Sequence, residues 1–412
     1  MNMTLSIILM SLLCFLLTCA ECLASLSAQG VTLQEDEKTV QIVSVNRWDL
    51  LFEYVAEAWP GLRIGGSPKA EYSVSAARKD LDDLARLNLK VLRVSATLYW
   101  STPMKKTFYE DSKRWWSAFE QMLDDCDQRG IRLVLLLNHH SQLFPDLGHE
   151  SRQDFFRNRD SVSRQLHDNY IREVVSRFRN RKTLYFWEIA NELNLGENLA
   201  FHDPEGLKHR DHLVGMETLM NYPIVRSASN HYTTQDTVNY MRETAELIRT
   251  LDQKHLIGSG HSTPRPAAMH LWRAQQTHGR GDWTQDSLEE NIEYIRLIHP
   301  DPVDLISIHY YEDAQKLFGG ELGNLENIAT LMAISREIGK PLYLGEIGTP
   351  SREYASEESL AWLSKALEMI RKEAVPLTLF WTWNDPGRDL FLNVGQTDKA
   401  IEIISNTAAQ PD

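Results

Sequence analysis

Short apolar runs rich in valine, isoleucine and leucine alternate along the chain with longer stretches in which apolar residues recur every three or four positions. The short runs are typical of buried parallel strands, and the longer stretches are typical of amphipathic helices. Eight strands are predicted: Leu62–Gly65, Val91–Thr97, Leu133–Asn138, Thr183–Ala190, Leu256–Ser259, Leu305–His309, Leu342–Gly345 and Leu377–Thr382. Eight successive strand and helix units predict an α/β fold, a single (β/α)8 or TIM barrel.

The stretches between these strands supply the predicted outer ring of helices, which includes Ala76–Leu89, Trp115–Arg129, Val162–Phe178, Thr237–Leu251, Asn324–Ile338 and Glu357–Lys372. Residues 31–60 precede the first predicted strand, and we expect them to form a cap at the base of the barrel. No repeat, low-complexity run or Pro/Ser-rich linker marks a second domain. The barrel is therefore predicted to occupy residues 29–412 as one domain.

Three connections are longer than simple turns, and each follows the C-terminal end of a predicted strand: Ser141–Ser161, Leu193–Tyr232 and His261–Ser287. Barrel proteins build their sites from the loops on this face. We therefore predict extended loops at the C-terminal face of the barrel.

The segment Leu5–Ala24 is almost continuously apolar and ends in small residues, as secretory signal peptides do. Residues 1–28 are therefore predicted to be a signal peptide. An N-terminal anchor is the alternative, because no Lys or Arg precedes the apolar run. Lipidation of Cys19 or Cys22 is a third alternative. A secreted or extracytoplasmic location is expected, with membrane contact only if this segment is retained or lipidated.

Three of the four cysteines lie in this N-terminal segment, so a processed chain would keep only Cys126 and no internal disulfide. Cys126 falls within a helical pattern away from the polar strand ends, and it is predicted to be a buried structural thiol.

The balance of charge restricts the partners of the chain. Its formal net charge is -14, and Lys and Arg are nowhere concentrated. Nucleic acid is therefore not an expected partner, since phosphate contacts need clustered cations. The hydrophobic fraction of 42% is enough for a large core, and a neutral or soluble substrate fits the charge best.

Polar residues stand at or near the ends of seven of the predicted strands, where they would converge on one pocket: Arg93, Asn138-His139-His140, Asn191-Glu192, His261, His309-Tyr310-Tyr311, Glu346 and Trp381-Thr382-Trp383-Asn384-Asp385. Carboxylates and histidines are costly to bury beside apolar strands unless they are paired or functional. The pattern therefore predicts a catalytic site at this face.

Glu192 and Glu346 end the fourth and seventh predicted strands, which places them on roughly opposite sides of the barrel mouth. Cleavage of a glycosidic bond needs such a pair, one carboxyl to protonate the leaving oxygen and one to attack the anomeric carbon, and retaining enzymes hold the two about 5 Å apart. Arg93 would keep Glu346 ionised, and Asn191 would bind the 2-hydroxyl of the sugar. This mechanism requires no metal and no organic cofactor.

The sequence Trp187-Glu188-Ile189-Ala190-Asn191-Glu192-Leu193 and the sequence Leu344-Gly345-Glu346-Ile347-Gly348 resemble glycoside hydrolase clan A, most closely family 5. The resemblance spans the whole barrel and implies a retaining glycosidase that cleaves O-glycosidic bonds of a β-linked glycan or glycoside. It implies that Glu192 is the acid/base and Glu346 the nucleophile. Leu193 departs from the family pattern, which usually continues with proline.

The resemblance also implies substrate-binding roles for further residues. A family arginine matches Arg93, and a family histidine matches either His139 or His140, of which we prefer His139. The family His-x-Tyr matches His309 and Tyr311. A tryptophan at the end of the eighth strand would stack on sugar, and Trp383 is the predicted one.

Two other functions compete with this interpretation. The first is a metal-dependent barrel hydrolase resembling the amidohydrolases, whose ligands would come from His139, His140, His261, His309 and Asp385. Against it, the first predicted strand lacks the His-x-His pair of such enzymes and continues with Gly65-Gly66-Ser67-Pro68. The second is a catalytically inactive carbohydrate-binding barrel, suggested by Leu193.

The glycan itself is not predicted, because family 5 enzymes act on cellulose, mannans, xyloglucan and other β-glycosides with the same strand-end residues. The three long loops favour a cleft narrowed at one end. Such a cleft predicts exo-action or the cleavage of short oligosaccharides.

Overall fold

A computed structural model describes residues 26–64, 72–198, 231–311, 325–348, 356–383 and 398–408. Its main sheet contains eight parallel strands: β4 (Ile42–Asn46), β5 (Val91–Ser95), β6 (Arg132–Asn138), β7 (Leu184–Ala190), β8 (Ile257–Gly258), β9 (Ile306–Tyr311), β10 (Leu342–Gly348) and β11 (Leu377–Phe380). The strands are paired in the order β8-β7-β6-β5-β4-β11-β10-β9. A parallel bridge between Gly258 and Leu305 joins the two ends of this order and closes the ring. The predicted (β/α)8 barrel is therefore confirmed.

The prediction of the first strand was wrong. Leu62, Arg63 and Ile64 form no strand, and β4 (Ile42–Asn46) pairs with both β5 and β11 in the place predicted for Leu62–Gly65. Leu62 and Ile64 are apolar because they pack against the core. Gly65 and the three residues that follow it lie outside the described residues. The other seven predicted strands are present, and none of their ends differs from the predicted one by more than three residues.

Part of the predicted cap over residues 31–60 therefore belongs to the barrel itself. The preceding residues form a three-stranded antiparallel sheet, β1 (Leu26–Gln29), β2 (Thr32–Glu35) and β3 (Lys38–Val40). Leu26 and Leu33 pack with residues that begin the barrel strands, such as Val91. This small sheet covers the N-terminal end of the barrel, opposite the predicted site.

Helices surround the strands in the alternation that the apolar periodicity predicts. They are α1 (Leu50–Ala58), α2 (Val74–Arg86), α3 (Ser101–Met104), α4 (Ser112–Asp127), α5 (Leu143–Gly148), α6 (Arg152–Arg157), α7 (Val162–Phe178), α8 (Thr234–Leu251), α9 (Ala268–Gln276), α10 (Leu288–Ile298), α11 (Asn327–Ile338), α12 (Glu357–Lys372) and α13 (Asp398–Ala408). Serines before α7 and α12 accept a hydrogen bond from the first turn, which explains why these two helices begin at the predicted residues.

The three predicted long loops differ in content. Ser141–Ser161 contains α5 and α6, and His261–Ser287 contains α9. Leu193–Tyr232 is described at its two ends, 193–198 and 231–232, where a parallel bridge joins Glu197 to Tyr232.

Cys126 is a buried free thiol in α4, as predicted. Burial raises its pKa, so the reactive thiolate is disfavoured.

The predicted signal peptide or anchor, including Cys14, Cys19 and Cys22, lies almost entirely outside the described residues. Among the helices of the described ranges, none is both long enough and apolar enough to cross a membrane.

Candidate active site

A buried arginine lies at the centre of the barrel mouth. Arg93 on β5 is fully buried, and its Nη1 donates to Glu346 Oε1 at 2.7 Å while its Nη2 donates to Asn191 Oδ1 at 2.7 Å. Its Nε donates to Glu188 Oε1 at 2.8 Å. Although burial disfavours the charge, the carboxylates of Glu188 and Glu346 raise the pKa of Arg93 above its ordinary value. One cation therefore links strands β5, β7 and β10 beneath the mouth.

Glu346 on β10 is held on both of its carboxylate oxygens. Oε1 accepts from Arg93, and Oε2 accepts from the hydroxyl of Tyr311 on β9. Burial and then the charge of Glu346 raise the pKa of Tyr311 well above its ordinary value, so the hydroxyl keeps its proton. A carboxylate that accepts hydrogen bonds from a cation and a hydroxyl is stabilised in its ionised form.

Glu192 follows β7 and faces Glu346 across the mouth. Its Oε1 lies 3.0 Å from Nδ1 of His309, and the same ring nitrogen lies 3.4 Å from Glu346 Oε1. One oxygen of each carboxylate and a ring nitrogen of His309 all lie within 4.8 Å of one another. This separation fits the retaining geometry of about 5 Å and leaves too little room for the water of an inverting enzyme.

The backbone beyond β7 aims Glu192 into the mouth. Glu192 has a left-handed conformation, with φ 51° and ψ 33°, which is uncommon for a residue with a side chain. Its N–H donates to the carbonyl of Gly260 at 2.8 Å, and the N–H of Asn191 donates to the carbonyl of Asn138 at 3.1 Å. The ends of the two neighbouring strands therefore hold the strained segment in place.

The two histidines after β6 lie in an aromatic cluster. The His139 ring centroid lies 5.2 Å from that of Trp48 and 5.1 Å from that of Tyr99, and the His140 ring centroid lies 4.6 Å from that of Tyr99. Burial lowers the pKa of His140 to about 3, so this ring is neutral. Substrate binding by His139 or by His140 stays a prediction.

The tryptophans after β11 are both buried. The backbone N–H of Trp383 donates to the backbone carbonyl of Asn46 at 2.9 Å, while the Trp381 ring stacks on Trp48 with centroids 6.2 Å apart. Trp381 therefore joins the aromatic cluster that contains His139. Sugar stacking by Trp383 stays a prediction, and Asn384 and Asp385 lie outside the described residues.

The structure does not bring together those predicted metal ligands that lie among the described residues. Within the described ranges, the groups able to share a metal ion are Glu192 with His309 and Glu346, and His270 with Asp286 and Glu290. Neither group includes His139, His140 or His261. Nε2 of His261 lies 3.1 Å from a backbone carbonyl, and burial lowers its pKa well below the ordinary value. His261 is thus a neutral, structurally bonded residue.

Sequence reasoning missed Asn46 at the end of β4. Its Oδ1 accepts from Arg93 Nη1 at 3.3 Å, and its Nδ2 donates to the carbonyl of Gly345 at 2.9 Å. It was overlooked because the first strand was predicted too late in the chain. The β-branched residues Ile42, Val43 and Val45 before it were the available signal.

Glu188 was also missed as a member of the site, although it lies in the motif that ends in Glu192. It is fully buried on β7 and contacts Arg93. Nothing in the sequence indicates that this carboxylate shares a cation with Glu346, because the contact depends on strands far apart in the chain.

A closed eight-stranded barrel with paired carboxylates at the ends of its fourth and seventh strands defines the class of a (β/α)8-barrel glycoside hydrolase. Residues 58–387 match the family model "Cellulase (glycosyl hydrolase family 5)". The chain therefore belongs to glycosyl hydrolase family 5, whose members are retaining glycoside hydrolases acting on carbohydrate. The predicted resemblance is confirmed, and neither alternative function is favoured.

Solved structures share this fold at low sequence identity. An endo-1,4-β-mannanase from Rhizomucor miehei has a TM-score of 0.64 and 16% identity, over 93% of this chain and 98% of that chain. A glycoside hydrolase family 5 mannosidase from the same organism has a TM-score of 0.60 and 12% identity, over 94% and 97%. An exo-β-1,4-mannosidase from an Opitutaceae bacterium has a TM-score of 0.56 and 15% identity, over 92% and 61%. No curated protein matches the chain in sequence.

Proposed function

We propose that this protein hydrolyses β-1,4-linked mannan or its oligosaccharides, with Glu346 as nucleophile and Glu192 as acid/base. The observation that carries these roles is the unequal surroundings of two carboxylates within 4.8 Å of each other. Glu346 accepts from a buried cation and from Tyr311, whereas Glu192 contacts His309 and is the more exposed of the two side chains.

In the first step, an oxygen of Glu346 attacks the anomeric carbon while the bond to the leaving oxygen breaks. The proton of the Glu192 carboxyl passes to that oxygen, and a glycosyl ester on Glu346 forms. A hydrogen bond between His309 Nδ1 and Glu192 Oε1, 3.0 Å apart, orients the carboxyl toward the leaving group. Asn191, fixed by Arg93, is positioned for the 2-hydroxyl of the sugar.

In the second step, Glu192, now ionised, takes a proton from water, and the water oxygen attacks the anomeric carbon. The ester bond to Glu346 breaks and returns its electron pair to the carboxylate. Arg93 and Tyr311 stabilise that returning charge. Two displacements at the same carbon retain its configuration.

Support for mannan comes from the solved structures that share the fold, whose titles name mannanases and mannosidases. Their sequence identity to this chain is low, so what they share with it is the fold. A glucan is the second candidate, since the matching family model carries the name cellulase. The predicted narrowing of the cleft by long loops extends the proposal to exo-action or to short oligosaccharides.

The proposal is tested by product analysis on β-1,4-mannan, β-1,4-glucan, xyloglucan and aryl β-mannosides. We expect turnover of mannan or mannooligosaccharides, with products one or two sugars long from the start. Random cleavage in the middle of a long polymer would contradict exo-action, and turnover of glucan alone would contradict the mannan proposal.

The two roles are separated by Glu192→Ala and Glu346→Ala assayed on an activated aryl β-mannoside with azide. Azide attacks without general-base help. We expect it to restore Glu192→Ala with a β-glycosyl azide as product, and Glu346→Ala with an α-glycosyl azide. An inactive parent protein whose Glu346→Gln variant binds sugar equally well would instead indicate a carbohydrate-binding barrel.

We further propose that the part of residues 1–28 that precedes β1 directs export, so that the enzyme acts outside the cytoplasm. The apolar run Leu5–Ala24 supports this proposal. Sequencing the N-terminus of the exported protein distinguishes cleavage from retention of an anchor. Cys19→Ser and Cys22→Ser variants that change membrane attachment would indicate lipidation, and accumulation of the full chain in the cytoplasm would contradict export.

A further inference from the structure

The guanidinium of Arg93 forms ion pairs with two carboxylates, Glu346 and Glu188, which differ in their exposure. Glu346 Oε1 accepts from Nη1 at 2.7 Å, and Glu188 Oε1 lies 2.6 Å from Nη2 and 2.8 Å from Nε. Only Glu346 has a part of its side chain exposed, 6% against 0% for Glu188. The buried group thus contains one positive charge and two carboxylates.

Glu188 is enclosed by the barrel interior and cannot reach a sugar. A Cβ added at Gly260 would lie only 2.7 Å from Glu188 Oε1, so the strand end next to it also packs against this carboxylate. Burial and then the charge of Glu188 raise the pKa of the Tyr343 hydroxyl on β10 well above its ordinary value. A buried carboxylate costs free energy that an apolar side chain of the same volume would avoid.

We propose that Glu188 is a positioning residue that fixes the guanidinium of Arg93 and takes up part of its charge, so that Glu346 is ionised but remains a reactive nucleophile. The proposal rests on the nucleophile role proposed above for Glu346. It assigns to Glu188 no contact with substrate, since its effect passes through Arg93.

The direction of the effect follows from the charges. An ionised Glu188 on the far side of Arg93 offsets the field that Glu346 experiences, and removing it leaves the full cation to stabilise the Glu346 carboxylate. The other titratable and charged groups near Glu188 and Glu346 are Arg93 on β5, Glu192 after β7, His309 and Tyr311 on β9, and Tyr343 on β10.

The test is the pH dependence of kcat/KM for Glu188→Gln, which keeps an acceptor oxygen for Arg93 and removes the charge. The acid limb of this profile reports ionisation of the nucleophile in the free enzyme. We expect the limb to move to lower pH by at least about half a unit. An acid limb at the parent position, or one moved to higher pH, overturns the proposal.

Glu53→Gln is the matched control. Glu53 is also a buried carboxylate, 2% exposed, and it contacts the buried Arg47 at 2.7 Å away from the catalytic pair. Each variant loses a buried ion pair, so thermal stability is expected to fall in both. Only Glu188→Gln is expected to move the acid limb.

Glu188→Asp keeps the charge but shortens the side chain, and it decides the matter if the Gln variant does not fold. We expect its acid limb to stay at the parent position while kcat falls at least about fivefold with little change in KM, because Arg93 is held less well. A parent-like kcat in Glu188→Asp overturns the positioning role. The nucleophile role of Glu346 is tested separately, because an active Glu346→Ala variant would show that Glu346 is not the nucleophile.

Discussion

Glu197 is a buried carboxyl five residues beyond Glu192, and its protonation makes stability depend on pH. Its Oε2 accepts from the Tyr294 hydroxyl at 2.5 Å and from Thr234 Oγ1 at 2.7 Å. Burial raises the pKa of Glu197 from 4.5 to about 7, although these hydrogen bonds oppose the rise. Between these two values the folded protein holds a proton that the unfolded chain has released.

The pKa of Glu197 is raised on folding, so its stabilising contribution is complete below 4.5 and is lost as the pH rises through about 7. Between pH 4.5 and pH 8, we expect the free energy of unfolding of the parent protein to fall by about 3 kcal/mol relative to that of Glu197→Gln. Urea unfolding of both proteins at the two pH values measures this difference. The prediction would be wrong if the free energies of unfolding of the two proteins differed by the same amount at both pH values.

The Tyr311 hydroxyl donates a hydrogen bond to Oε2 of Glu346. Tyr311→Phe removes that donor and keeps the ring. We expect kcat to fall roughly 100-fold, because the variant loses a donor to the negative charge that returns to Glu346 in the second step. Steady-state kinetics with a thermal unfolding control checks this, and parent-like kinetics in a folded variant would refute it.

At the scale of elements, the end of β8 determines where Glu192 lies. Gly260 has φ 76°, and a Cβ there would lie 1.8 Å from the carbonyl oxygen of Ala190, the last residue of β7. The same glycine accepts the hydrogen bond from the Glu192 N–H. Only a residue without a side chain allows these two strands to approach so closely.

Gly260→Ala is therefore expected to displace the backbone before Glu192 and to lower kcat at least about tenfold. Gly339→Ala is the matched control, because Gly339 has φ 81° and nothing within 4 Å of its added Cβ. Both variants carry the backbone strain, about 1 kcal/mol, but Gly260→Ala adds about 1–3 kcal/mol from the overlap. Equal losses of stability and activity in the two variants would contradict this account.

At the scale of the whole molecule, the barrel brings together carboxylates separated widely in sequence and closes its opposite end with the small sheet β1-β2-β3. In the proposed chemistry, Glu192 supplies and removes the proton and Glu346 is the nucleophile, so neither step uses a metal ion. We expect activity on aryl β-mannosides to survive exhaustive chelation, since the two-carboxylate mechanism needs no metal. Loss of activity on chelation, with recovery on adding a divalent ion, would revive the metal-dependent alternative.

Most of the barrel was predictable because its strands are buried on both faces and its helices on one, which leaves a clear apolar pattern. The exception was β4, whose β-branched residues Ile42, Val43 and Val45 lie between the small sheet β1-β2-β3 and α1 and were assigned to the cap. The error displaced the first strand and hid Asn46. It left Glu192 and Glu346 unaffected, because their own strands were predicted correctly.

The sequence by itself determined the fold class and the two strand ends that carry the carboxylates, since periodicity and local motifs are properties of neighbouring residues. Only the tertiary structure decided which groups share a charge. Arg93, Glu188 and Glu346 lie on three strands, and their distances depend on the register and closure of the barrel. The left-handed Glu192 and its bond to Gly260 depend on the same packing, for the same physical reason: contacts between distant strands leave no pattern along the chain.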